Sequence, residues 1–165
     1  MKRIHYLVIS LVVLVFDVWT KWLVATHISR NESVSLIPNL FEIVHVRNTG
    51  AAFGIGANSD SQLVPLMLNA GALAVFFVVV VYAIRTAVTD RVLQVGLHLI
   101  LGGAIGNLFD RFRLGYVVDF LDVYIRDHHW PAFNVADSAI CIGIALLFLD
   151  MRRRPEPQLD ATPSS

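Results

Sequence analysis

Four apolar runs, each about as long as a lipid bilayer is thick, restrict this chain more than any other feature of its sequence. Crossing about 30 Å of hydrocarbon takes about 20 residues at about 1.5 Å rise each. Segments of that length run from Ile4 to Ala25, Leu63 to Ile84, Val92 to Phe112 and Ala132 to Met151. The second is the cleanest, since Ala72 to Ile84 reads ALAVFFVVVVYAI without a charge. The other three hold polar residues toward one end: Asp17 and Lys21, then Asn107, Asp110 and Arg111, then Asn134 and Asp137. With alternating directions across a membrane, those three polar ends fall on one side. The composition agrees: 56% hydrophobic and 16% charged, against roughly 45–50% and about 25% in soluble domains.

The predicted fold is therefore an all-α membrane protein with four transmembrane helices, a single domain over residues 1–151. Four spans put both termini on one side, with seven basic residues there (Lys2, Arg3, Arg85, Arg91, Arg152, Arg153 and Arg154) against six on the other. Lys21 and Arg111 adjoin acids at helix ends and are spoken for by them, so the positive-inside rule places both termini in the cytoplasm and the polar ends outward. Lys2 and Arg3 ahead of an apolar run resemble a secretory signal, but Asp17, Lys21 and the lack of a small-residue cleavage site predict a retained first helix. The outer loops, about 26–62 and 113–131, carry the β-prone stretches SVSLIPNLFEIVHVRN and VVDFLDVYIRDHHW. They predict a small extracytoplasmic β-cradle lying on the bilayer, with Pro38-Asn39 as a turn and Phe41, Tyr124 and Trp130 as interfacial anchors. The Pro-rich tail, 152–165, reads as disordered and cytoplasmic.

Several function classes drop out. Net charge is zero and no basic stripe with interleaved aromatics exists, so no nucleic-acid partner is expected. Cys141, the only cysteine, lies in an apolar run and reads as a packing residue. Gly54 and Gly56 precede no GK[ST] phosphate loop, and no serine sits in a G-x-S-x-G elbow. His128 and His129 are adjacent and point apart on a strand, with no Cys or further His at ligand spacing, so they read as solvated and no metal is expected. His98, within the third run, reads as a buried, hydrogen-bonded histidine.

What remains is carboxylate chemistry. Asp119 in VVDF and Asp137 in FNVADS bracket the second outer loop, and ionised carboxylates at membrane depth are costly enough to imply a function. Brought together in a partly dehydrated pocket, two carboxylates hold one proton near neutral pH and act as acid and base at once. Each is equally readable as a helix cap, with Asp137 the N-cap of the fourth helix. Asn107 and Arg111 share a helix face with Asp110 on its flank, and Gly102 and Gly106 form a GxxxG spacing suited to close helix packing. Asp17 and Lys21, at i and i+4, read as a structural ion pair. Asn48-Thr49-Gly50, ahead of Ala51, Ala52 and Phe53, suits close approach of an extended peptide. An alternative from another class is a small non-enzymatic proton-coupled carrier or helper subunit, with Asp17, Asp110, Arg111 and Asp119 as a relay.

Five blocks in one order resemble the bacterial lipoprotein signal peptidases, the aspartic signal peptidases of type II: DVWTK (Asp17 to Lys21), NTGAAF (Asn48 to Phe53), GGAIGNLFDR (Gly102 to Arg111), VVDF (Val117 to Phe120) and FNVADS (Phe133 to Ser138). The resemblance implies a multi-pass enzyme of the bacterial cytoplasmic (inner) membrane with an active site near the outer face. It implies Asp119 and Asp137 as the catalytic dyad, and Asn48, Gly50, Gly103, Asn107, Asp110, Arg111 and Asn134 as residues that bind substrate or order the site. The implied partners are membrane lipid and diacylglyceryl-modified prolipoproteins, cut on the amino side of the lipidated cysteine, with no cofactor. Val18 stands where the family usually has glutamine, a departure confined to the first helix.

Overall fold

The computed structural model describes residues 3–30, 32–50 and 63–153. The readings made for Ala51, Ala52, Phe53, Gly54 and Gly56, and for the tail past Arg153, lie outside the described residues. Four helices carry the chain: α1 (Arg3–His27), α2 (Leu63–Arg85), α3 (Arg91–Leu114) and α4 (Val135–Arg153). Four strands complete it, β1 (Ser33–Ile37) and β2 (Phe41–Asn48) after α1, then β3 (Val117–Ile125) and β4 (His128–His129) after α3. Two of the helices, α1 and α3, are long and apolar enough to cross a membrane on those grounds alone.

Helix α1 is turned inside out relative to a helix of a water-soluble bundle. On α1 the buried side chains are Tyr6, Ser10, Asp17, Lys21 and Val24, which recur at three-, four- and seven-residue steps and so form one stripe. Leu7, Leu11, Val15, Trp19 and Trp22 face outward on the same helix, each about half exposed or more. Polar inward and apolar outward is the pattern that a hydrocarbon surround selects, since exposed apolar surface on this scale marks contact with a membrane or a partner.

Helix α3 lies at the centre, packed on the other three. Its glycines make this possible. A Cβ on Gly102 would meet the Ser10 carbonyl of α1, one on Gly106 the Asp17 carboxylate, and one on Gly103 the Ala136 carbonyl of α4. The GxxxG pair therefore seats α1, as expected, while Gly103 between them seats α4. In the N-terminal half of α3, Leu93, Leu97 and Leu101 form an apolar core with Ala83 of α2, flanked by Phe76, Val80 and Leu147. Gln94 ties the α2–α3 corner by donating to the carbonyls of Ala83 and Thr86, both at 3.1 Å. At the other end Gly115, with φ 78°, closes α3 in a left-handed cap whose N–H donates to Arg111 O.

The strands that follow α1 and those that follow α3 combine into one antiparallel sheet of order β1-β2-β3-β4. The expected Pro38-Asn39 turn joins β1 to β2, with Asn39 at φ 62°. An extra residue on β2 between Ile43 and Val46 shifts the register against β3, and such a bulge re-aims the side chains beyond it. Beyond it Val46, Arg47 and Asn48 lie opposite Asp119, Val118 and Val117. His45, inside the bulge, pairs through Nδ1 with the Ile28 carbonyl at 2.9 Å and ties the sheet to the end of α1.

Two boundaries differ from the sequence reading. Helix α4 starts at Val135, because Phe133 is still bound to β3: its N–H donates to Leu121 O, and its carbonyl accepts from the N–H groups of Phe120 and Leu121. Helix α4 also takes in Arg152 and Arg153, which had been assigned to the tail. Cys141, expected as a packing residue, is exposed on the surface of α4.

Candidate active site

The first turn of α4 organises the site. Asn134 stands just ahead of the helix, and its Oδ1 accepts the N–H of Asp137 at 2.9 Å. Asp137 Oδ2 reaches back to the Asn134 N–H at 3.2 Å. This reciprocal pair is a capping box, which satisfies two of the N–H groups that a helix start leaves unpaired. Asn134 is thus the N-cap and Asp137 the third helical residue, in place of the expected Asp137 cap. A third N–H, that of Ala136, donates at 2.8 Å to Asp17 Oδ1 from α1. Asp137 lies in the first turn of α4, at the positive end of the helix dipole.

Asparagine side chains then join Asp137 to Asp119. Asn107 Nδ2 donates to Asp137 Oδ1 at 2.7 Å. Asn134 Nδ2 donates to Asp119 Oδ1 at 2.7 Å and to Asn107 Oδ1 at 3.2 Å. Asn48 Nδ2 donates to Asp119 Oδ2 at 2.8 Å, so both oxygens of this 2% exposed carboxylate are held. Burial pushes the Asp119 carboxyl up to about 6, aided by the nearby charge of Asp137 and opposed by the two amides and by Lys21. A carboxyl held near neutrality in this way can give or take a proton at physiological pH.

Behind the amides sits an ionic cluster. Lys21 Nζ lies 2.7 Å from Asp17 Oδ2 and 3.1 Å from Asp110 Oδ2, and donates to Asn107 Oδ1 at 3.0 Å. All three charged side chains are buried, and such a cluster persists only when each charge is paired. Asp110 also accepts the Val118 N–H at 3.3 Å, which anchors β3 one residue before Asp119. Arg111 donates from Nη2 to the Gly50 carbonyl at 3.2 Å, while the Gly50 N–H donates to Asn48 Oδ1 at 2.9 Å.

The expected residues therefore converge. Asp119, Asp137, Asn48, Asn107 and Asn134 form one hydrogen-bonded unit, Asp17, Lys21 and Asp110 stand behind it, and Gly50 and Arg111 flank it. Gly103 takes no direct part, and its lack of a side chain lets α4 approach α3. The amides of Asn107 and Asn134 bond to the carboxylates, and Asn134 also bonds to Asn107. Sequence reasoning missed Asn134 as the cap, Asp17 as a cap donated from another helix, and Lys21 as the cation that orients Asn107. The i, i+4 spacing signals the Asp17–Lys21 contact alone, since the other partners are 86 or more positions away.

Comparison with known proteins follows the same lines. The family model described as signal peptidase (SPase) II matches residues 9–153. The chain is 49% identical over 148 residues to the lipoprotein signal peptidase of Syntrophotalea carbinolica, covering 89% of each. It is 46% identical over 146 residues to that of Geobacter metallireducens, covering 88% of this chain and 89% of the relative. A solved bacterial membrane enzyme, determined by the in meso method at 2.3 Å resolution, superposes with a TM-score of 0.78 at 31% identity over 94% of both chains. With the match running from α1 to the end of α4 and through every block that builds the site, the chain belongs to the signal peptidase II family.

Proposed function

We propose that this chain is an aspartic endopeptidase of the bacterial cytoplasmic membrane that removes signal peptides from diacylglyceryl-modified prolipoproteins, with Asp119 and Asp137 as its catalytic pair. The observation that carries this reading is the link from Asp119 Oδ1 through Asn134 and Asn107 to Asp137 Oδ1, in which two acids share a set of neutral donors. The relatives named above are lipoprotein signal peptidases, which supports the substrate class. The outward apolar faces of α1 and α2 support a four-span arrangement, with the sheet and both aspartates near the outer surface and both termini in the cytoplasm. Lipid tails on the substrate can then remain in the bilayer while the peptide bond meets the pair. The carrier reading has no support from this geometry, because the ionisable groups gather at one end of the bundle.

In the proposed reaction Asp137, held by Asn107 and by the Asn134 N–H, takes a proton from a water. The water oxygen adds to the scissile carbonyl carbon. Asp119, whose protonated form burial favours, gives its proton to the carbonyl oxygen as the tetrahedral intermediate forms. Collapse re-forms the carbonyl, the cysteine nitrogen takes up the proton held by Asp137, and the C–N bond breaks. A proton from the intermediate returns to Asp119, so both carboxyl groups regain their starting states and no covalent enzyme intermediate arises.

The test is a gel-shift assay of a lipidated prolipoprotein with the wild type, Asp119→Asn and Asp137→Asn, each shown to be folded. Turnover is expected to fall by on the order of a thousandfold or more in each variant, as removal of an acid–base group predicts. Retained turnover in either would remove that residue from the pair.

A further inference from the structure

A second cluster of ionisable side chains lies on the sheet, and the dyad chemistry makes no use of it. Glu42 of β2 and Asp122 of β3 are direct cross-strand partners, so two carboxylates stand side by side on one sheet face. Like charges directly opposite one another destabilise a sheet. Asp122 is 8% exposed, and its Oδ2 is engaged, 2.7 Å from His129 Nδ1. Its Oδ1 is buried without a hydrogen-bond partner among the described residues. A buried carboxylate oxygen left unpaired is costly, and a cation is the group that would offset both this cost and the repulsion.

The imidazole is fixed where such a cation would need it. His129 pairs across the β3–β4 hairpin with Tyr124, two residues along from Asp122 and so on the same face. Its ring stacks on that of Tyr124 at 4.8 Å and 9°. Tyr124 is held in turn, since its hydroxyl oxygen accepts the Asn39 N–H at 3.1 Å. One ligand atom from each of Glu42, Asp122 and His129 lies within 4.8 Å of the other two. Atoms around a tetrahedral zinc with bonds of about 2.0–2.2 Å sit about 3.4 Å apart, so closure requires small side-chain movements only.

We propose that Glu42, Asp122 and His129 form a structural binding site for a borderline divalent cation, with Zn2+ as the best match. One imidazole nitrogen disfavours Ca2+ and Mg2+, and two carboxylates without a thiolate disfavour Cu+. The partial exposure of His129 and Glu42 gives the ion a way in and leaves a position for water. Strand alternation puts Asp119 on the opposite face from Asp122, so this site is separate from the dyad and does not rest on the peptidase reading. Its effect would be to clamp β2, β3 and β4 together.

The full chain, purified in detergent and stripped with a chelator, is expected to take up one equivalent of Zn2+ with a rise in Tm that equal Ca2+ or Mg2+ does not produce. Asp122→Asn and His129→Gln should each weaken uptake by on the order of tenfold to a hundredfold, whereas His128→Gln, which alternation aims away, should leave it unchanged. Zinc-edge X-ray absorption on the wild type needs no variant, and is expected to show one imidazole nitrogen with oxygen donors. Failure to take up Zn2+, uptake indifferent to both substitutions, or a metal shell with two or more imidazoles would each overturn the site.

Discussion

Replacing Asp119 by Asn should make the protein more stable as it becomes inactive, and the gain should appear only as the pH rises. An unfolded aspartate titrates near about 3.9, whereas the folded Asp119 carboxyl is pushed up to about 6, chiefly by burial. Between those values the folded state binds more protons than the unfolded one, so the stability linked to this group is full below about pH 4 and is lost as pH rises through about 6. The displacement corresponds to about 3 kcal/mol at higher pH. Near pH 4 the protonated side chain sets one acceptor and one donor against the NH2 groups of Asn48 and Asn134, and an amide at this position meets the same mismatch. Wild type and Asp119→Asn should therefore lie within about 1 kcal/mol of each other there, and the variant should lead by about 3 kcal/mol at pH 8. Paired thermal unfolding in one detergent from pH 4 to pH 8 measures this as a difference in which the groups common to both proteins cancel. A difference that stays flat, or that moves against the variant as pH rises, would refute burial as the dominant influence on Asp119.

Two further perturbations probe the scaffold. Lys21→Met leaves Asp17 and Asp110 buried beside each other without their cation, which should cost about 3–5 kcal/mol. Thermal unfolding should show the loss, and adding Asp17→Asn should recover part of it. Gly103→Ala drives a Cβ into the Ala136 carbonyl and should separate α3 from α4, lowering both Tm and turnover, whereas Gly71→Ala meets nothing within 4 Å and should be neutral or better. Equal effects of the two glycine changes would contradict the close α3–α4 contact.

The helices were legible because apolar run length is a local property. Three of the four apolar segments lie inside the helix found there, and the fourth misses only at its start. That start was illegible for a stated reason: FNVADS offers both Asn134 and Asp137 as caps, and the choice falls to Asn134 because Phe133 is tied into β3. The convergence of the polar ends followed from the parity of the spans, but the partners did not. Lys21 meets Asn107 from 86 positions away, and no periodicity in α1 encodes that contact. The juxtaposition of Glu42 and Asp122 is set by pairing register, and the neighbouring bulge at Ile43 and Val46 has no signature in FEIVHVRN.

The choice of neutral amides around the two acids has a physical rationale. A lysine or arginine in direct contact with Asp119 or Asp137 would hold both carboxylates ionised and remove the shared proton on which the proposed reaction depends. The side-chain amides of Asn48, Asn107 and Asn134 make three carboxylate contacts between them without adding charge. The buried cation Lys21 is turned toward Asp17 and Asp110, whose negative charges offset it, and its hydrogen bond toward the dyad goes to the carbonyl oxygen of Asn107. Its influence on Asp119 accordingly ranks below burial, the two amides and the charge of Asp137. Removing the cation's own partners should therefore matter to the dyad: with Asp17→Asn, the positive charge of Lys21 is less offset, and Asp119 should lose its proton at a lower pH than in the wild type.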